Sequence, residues 1–215
     1  MSLAPVWLFD LDNTLHDASP HIFPHINRSM TAYLEQHLRL SRDEANTLRL
    51  HYWRRYGATL LGLIRHHGTD PQHFLLETHR FDRLHDMMVF ERALRGMLRR
   101  LPGRKIVFSN APRHYAEAAL EVMGVRRQFE AVFGIEDLDY QPKPGILGYR
   151  RLIAANRLNP RRCIMVEDSA INLRTARRLG MRTVLVGRGL GQPAYVDVKI
   201  RSILDLRRAS GRLTG

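Results

Sequence analysis

Cysteine occurs once in the 215 residues, at Cys163, so no intramolecular disulfide can form and a secreted disulfide scaffold is excluded. No window approaches the roughly 18 consecutive apolar residues of a membrane-spanning helix. The apolar stretch around Val6 also lacks the basic flank and small-residue cleavage site of a secretory leader. These absences point to a cytoplasmic protein with no membrane partner. Lysine is scarce, since 31 of the 34 basic residues are arginine. Against 21 acids the formal net charge is +13, and most of it falls after residue 100. The excess is scattered over several segments, as a bias of base composition would scatter it, so nucleic acid is not expected as a partner. Repeats and low-complexity tracts are missing. What remains, 44% hydrophobic and 26% charged residues, is the composition of a globular chain that can bury a core.

Short apolar runs recur at Val6 to Phe9, Lys105 to Phe108, Ala131 to Phe133, Cys163 to Val166 and Thr183 to Val186. Buried parallel strands have this form. Helical stretches lie between the later runs, at Pro112 to Met123, Ile146 to Ala155 and Asn172 to Leu179, and Gly124 and Gly180 stand where two of them end. The alternation predicts βαβ units, hence an α/β, Rossmann-like three-layer core around a parallel sheet. Residues 17–90 have another rhythm. Ile26, Met30, Tyr33, Leu34 and Leu38 keep helical spacing, Ser41 to Glu44 reads as a capping box, Asp70-Pro71 opens a helix, and Gly57 and Gly68 close two. The chain is therefore expected to form a core from 1–16 and 91–215, with an all-helical insertion at 17–90 after the first strand. The segment Arg207 to Gly215 reads as a mobile tail.

The first run ends in Asp10-Leu11-Asp12. Ligands bind at the carboxyl ends of strands in open α/β sheets, and two carboxylates there repel unless a cation or a shared proton relieves them. Magnesium suits such a site, because it prefers hard oxygen ligands and keeps room for water and phosphate. The later runs deliver Ser109-Asn110, whose hydroxyl and amide groups can hold a phosphoryl oxygen, and Glu167-Asp168, a second acid pair. Lys143 lies between Pro142 and Pro144, which restrict its backbone, and can neutralise phosphate charge. Taken singly, each has a plain structural reading as a helix cap or a solvated loop charge.

Together, Phe9 to Leu15, Ser109, Lys143 and Glu167-Asp168 resemble, in order, the four motifs of the haloacid dehalogenase superfamily, and the insertion is similar to that family's helical cap. Tyr52 to Ile64 and Val107 to Ala111 are most similar to its pyrimidine 5′-nucleotidase branch. The resemblance implies that Asp10 is the nucleophile of an aspartyl-phosphate route and that Asp12 protonates the leaving oxygen and then activates water. It implies that Asp10, the Asp12 carbonyl and Asp168 hold Mg2+ with Glu167 as a direct or water-mediated ligand, and that Ser109 and Lys143 hold the phosphoryl oxygens. Asp12 argues for phosphate chemistry, since true dehalogenases lack that second acid. Motif four has Glu167 where many relatives place Asp, and the loop after Lys143 lacks the second proline many relatives carry.

The expected substrate is a small phosphorylated metabolite, with a nucleoside monophosphate as the leading candidate and a sugar phosphate, cleaved by a phosphatase or handled by a phosphoglucomutase-like enzyme, as the alternative. A catalytically silent basic nucleic-acid-binding protein is the alternative of another class. Asn110, Tyr56 and Arg55 are the expected substrate-binding residues. Trp53 and Tyr52 complete an aromatic cluster that either stacks on a base or packs the cap's interior. Three further residues carry alternatives. His21 and His25 keep a zinc-compatible spacing without a third ligand, His16 lines the cleft or serves as a hinge, and Cys163 reads as a buried, inert thiol.

Overall fold

The computed structural model describes residues 4–214. It divides into two compact units, one comprising the chain up to Asp17 and from Met88 onward, the other Ala18–Met87. In the first unit the strands are β1 (Val6–Phe9), β2 (Arg104–Phe108), β3 (Ala131–Phe133), β4 (Cys163–Glu167), β5 (Arg182–Val186) and β6 (Val198–Ile200). They form one parallel sheet in the order β3-β2-β1-β4-β5-β6. β1 lies between β2 and β4, with Phe9 opposite both Val107 and Val166. That register brings the carboxyl ends of three strands level; Asp10, Ser109 and the Glu167-Asp168 pair stand at those ends, while Lys143 comes from the loop before Ile146.

Alternation along the strands sorts the side chains to two faces. Val6, Leu8, Ile106, Phe108, Cys163 and Met165 join one cluster with Tyr149 and Leu152 of α8 (Ile146–Ala155) and Leu173 and Ala176 of α9 (Ala170–Arg178). Trp7 and Phe9 point the other way, where Phe129 meets Phe9 edge-on at 5.7 Å and Trp7 Nε1 donates to the Pro102 carbonyl. Cys163 is buried and its thiol is pushed up to about 11, first by desolvation, in keeping with an inert packing residue.

Two elements depart from the expectations. β6 reads as a strand only through Val198 and Ile200 flanking Lys199, a signal too short to stand out. Arg207 to Thr214 is not a mobile tail but belongs to a helix, Leu206–Thr214, because Leu206, Ala209 and Leu213 recur at helical spacing and are buried. Gly215 lies outside the described residues. Arg126 pairs with Glu117, and the exposed Arg177 pairs with Asp197.

The second unit is all helical, with α1 (Ile22–Leu38), α2 (Arg42–Tyr56), α3 (Thr59–His67), α4 (Pro71–Thr78) and α5 (Leu84–Met87). Local chemistry sets its boundaries. Ser41 and Glu44 exchange the reciprocal bonds of a capping box, and Asp70 accepts from the Gln72 amide ahead of Pro71. Gly57 and Gly68 take φ of +80° and +62° where α2 and α3 end, a conformation that penalises any Cβ. Ile26, Leu34, Leu63 and Phe74 are among the residues that fill its interior.

Candidate active site

The β1 strand ends in an apolar run that makes Asp10 buried, and its amide donates to the Val166 carbonyl of β4. Across the sheet edge, Lys143 Nζ donates to Asp10 Oδ1 at 2.6 Å and to Glu167 Oε2 at 2.7 Å, with all three groups out of solvent. Asp168 completes the group, since carboxylate oxygens of Asp10, Glu167 and Asp168 lie within 4.8 Å of one another. Among the described residues it is the one cluster of this kind. One ammonium against three carboxylates leaves two negative charges unmatched when all are ionised, the charge of one divalent cation. The electrostatics follow from that imbalance. Desolvation, then the Glu167 charge, pushes Asp10 up to about 8 in spite of Lys143, and burial also raises Glu167 and Asp168. Burial works against the Lys143 ammonium, but Asp10 and Glu167 more than offset it and keep it charged. A crowded, oxygen-only donor set with surplus negative charge fits a hard cation such as magnesium.

The lysine is held by its backbone as well. Asn110 Oδ1 accepts from the Lys143 amide at 2.8 Å and Asn110 Nδ2 donates to the Lys143 carbonyl at 3.0 Å. Asn110, expected to bind substrate, thus clamps the Lys143 loop with both ends of its amide. The loop gains further support from the Gly145 amide on the Pro142 carbonyl and from Thr175 Oγ1 on the Pro144 carbonyl, which serve where the second proline is missing. Ser109 is buried at the end of β2, and its Oγ accepts from the Ala111 amide at 3.0 Å.

After β1 the chain makes a single turn, with the Leu15 amide on the Leu11 carbonyl and Asn13 at φ +58°, a position Asn tolerates better than most residues. The turn carries Asp12 to His16. Tyr115 of α7 (Arg113–Val122) donates its hydroxyl to Asp12 Oδ1 at 2.7 Å, and His16 Nε2 meets the same oxygen at 3.0 Å. Tyr115 is a contact that the sequence did not announce, because it lies 103 residues from Asp12 on an ordinary amphipathic helix. Thr14 Oγ1 is buried without a hydrogen-bond partner among the described residues.

In the helical unit, Tyr52 is buried with its hydroxyl on His67 Nε2 at 2.8 Å, so it packs that unit's interior rather than a base. Trp53 is 57% exposed. Tyr56 bonds His66 Nε2 at 2.7 Å, and the guanidinium carbons of Arg55 and Arg65 both lie 5.9 Å from its ring centre. These side chains and His51 line a cleft of about 420 Å³. His25 Nε2 meets the Arg80 carbonyl at 2.8 Å and its ring packs on Phe81.

Comparison with known proteins agrees with this geometry. The chain is 25% identical over 216 aligned positions to a phosphoglycolate phosphatase of Chromobacterium violaceum, covering 92% of each protein, and 24% identical to another of Pseudomonas putida, covering 93% of this chain and 76% of that one. The fold matches the crystal structure of a phosphatase from Thermococcus onnurineus with a TM-score of 0.68 at 20% identity, over 99% of this chain and 100% of that one. The profile of the haloacid dehalogenase-like hydrolases spans residues 6–180, and the chain belongs to that family.

Proposed function

We propose that the protein is a magnesium-dependent phosphomonoester hydrolase whose substrate is a small phosphorylated hydroxy acid or sugar. The observation that carries this reading is the buried Lys143 ammonium between Asp10 and Glu167, beside the cluster they form with Asp168. Asp10, Glu167 and Asp168 would hold the ion, which when bound neutralises phosphate charge and lets a negatively charged carboxylate approach phosphorus. Asp10 attacks phosphorus, forming the Asp10 O–P bond as the ester P–O bond breaks. Asp12 gives its proton to the departing oxygen and takes one back from the water that cleaves the aspartyl-phosphate. Lys143 and Ser109 stabilise the transferring oxygens, and the Asn110 clamp keeps Lys143 in place.

The named relatives, both phosphoglycolate phosphatases, support a small acid ester over a nucleotide. A nucleoside monophosphate remains the second reading, carried by the cleft at Tyr56, where an aromatic ring lies beside two guanidinium groups. Phosphate release from phosphoglycolate, hexose phosphates and nucleoside monophosphates, measured side by side with magnesium and again with excess chelator, tests both. Highest kcat/KM for phosphoglycolate or a hexose phosphate supports the first reading and highest for nucleotides the second; full turnover in chelator contradicts the metal-dependent mechanism.

A further inference from the structure

The environment of Asp12 is more specific than an acid needs for its charge alone. Two donors from separate parts of the core converge on one oxygen, with Tyr115 Oη 2.7 Å and His16 Nε2 3.0 Å from Asp12 Oδ1, and no hydrogen bond within the described residues engages Oδ2. The two donors also meet each other at 3.3 Å, so they form one triangle rather than two independent contacts. Both are rigidly placed. The His16 side chain is fully out of solvent, and Tyr115 is buried in α7. His16 Nδ1 is buried with no partner among the described residues, which favours the tautomer with its proton on Nε2, since a bare acceptor is cheaper to bury than an unmet N–H. Desolvation and the neighbouring Asp12 charge keep the Tyr115 hydroxyl protonated. Asp12 Oδ1 therefore faces two hydrogens.

We infer that Tyr115 and His16 are positioning residues that reserve Oδ2 of Asp12 as the oxygen that carries and transfers the catalytic proton. A proton on Oδ1 would strand at least one buried donor, so the acid form of Asp12 holds its proton on Oδ2. In the first half-reaction that proton moves from Oδ2 to the departing alkoxide as its bond to phosphorus breaks. In the second a proton from the attacking water moves to Oδ2 as the water oxygen bonds to phosphorus and the Asp10 O–P bond breaks. The inference rests on the phosphatase reading proposed above, with Asp12 as its acid and base. It goes beyond that reading in assigning the active oxygen and the two side chains that select it.

Dependence on the leaving group separates positioning from general structural support. The alkoxide of an alkyl ester needs a proton as it departs, whereas para-nitrophenolate leaves readily without one. kcat/KM reports the step that forms the phosphoenzyme, so it reads the acid half-reaction even if later hydrolysis limits turnover. Tyr115→Phe and His16→Leu should each lower kcat/KM for phosphoglycolate or glucose 6-phosphate, whichever the wild type cleaves, by at least about tenfold. The same variants should change para-nitrophenyl phosphate cleavage by no more than about threefold. His16→Gln, which keeps a donor near the Nε2 position, should recover most of the alkyl-ester activity. Equal losses on both esters, or none on the alkyl ester, overturn the inference. Asp12→Asn is the control for the underlying reading. If it fails to show the same bias toward the activated ester, Asp12 is not the acid, whatever Tyr115 and His16 do. A wild type that cleaves no phosphate ester removes reading and inference together.

Discussion

The core and the helical cap handle polar side chains in opposite ways. In the core, Asp10, Lys143, Glu167, Ser109 and His16 are buried, at strand ends or in the loops beside them, and held by short bonds that leave each little freedom. In the cap, Arg55 is exposed and Tyr56 half buried where they line a cleft open to solvent, and Trp53 is exposed as well. Burying charge costs stability unless partners or ions offset it, so the core keeps such groups only where chemistry requires them. Exposed cap residues carry no comparable cost and can vary with the substrate. On the phosphatase reading proposed above, the difference puts the reaction at the sheet edge and the selectivity in the cap.

The change that cuts deepest into the core is Asp10→Asn, which keeps shape but removes the nucleophile and one cluster oxygen. Turnover of any phosphate ester should fall by at least roughly 10⁴-fold, since removing a covalent nucleophile elsewhere costs up to about 10⁶-fold, while the fold survives by circular dichroism. A loss under about tenfold, only about 1.4 kcal/mol of barrier, would place the chemistry elsewhere.

Gly62→Ala tests whether the cap is a separate packing problem. A Cβ at Gly62 would fall within contact of the Tyr52 ring, which is buried and tied to His67 and so cannot swing aside. Overpacking of this kind costs roughly 1–3 kcal/mol. Proteolysis should find the cap weakened and the core protected, and equal weakening of both units would merge what the comparison separates.

Magnesium should stabilise the core with a definite pH dependence. The carboxyls of Asp10, Glu167 and Asp168 are raised above their ordinary range, Asp10 to about 8, so the metal-free fold binds protons that the unfolded chain has already released. Its stability accordingly falls as pH rises from the ordinary carboxylate range toward about 8, and an ion that needs bare carboxylates relieves more strain at the upper end. The Tm gain on adding magnesium should therefore grow between about pH 5.5 and about pH 8.5, and should shrink in Asp168→Ala. A constant or falling gain would detach the cluster from the metal.

Tyr56→Ala should have the smallest effect and the most selective one. If the cleft binds a base, kcat/KM for nucleoside monophosphates drops by roughly 1 to 3 kcal/mol of transition-state binding, with little change for phosphoglycolate. No selective loss leaves the acid or sugar reading alone.

The sequence discloses the core better than the cap because the physics of the two differs. Parallel strands buried on both faces must be apolar runs, so Val6 to Phe9 and Cys163 to Val166 stand out, and the acids that interrupt them mark the sheet edge. The helical boundaries are also legible where capping is local, as at Ser41 and Gly57. Long-range pairing leaves no such trace. Nothing near Tyr115 shows that its hydroxyl meets Asp12, and the amide of Asn110 looks equally suited to a phosphate or to the Lys143 backbone. The final helix was obscured by its arginines, although Leu206, Ala209 and Leu213 carry the stripe that docks it.

The central claim, that Asp10 takes the phosphoryl group, is most directly tested by acid-quenching the enzyme during turnover of para-nitrophenyl phosphate with magnesium and mapping the phosphorylated peptide by mass spectrometry. The account predicts one phosphoryl group on the peptide containing Asp10, absent from Asp10→Asn and chased away when the substrate is exhausted. Turnover with no phosphopeptide even where phosphoenzyme hydrolysis is slowed by Asp12→Asn, or a phosphoryl group on another residue, contradicts it.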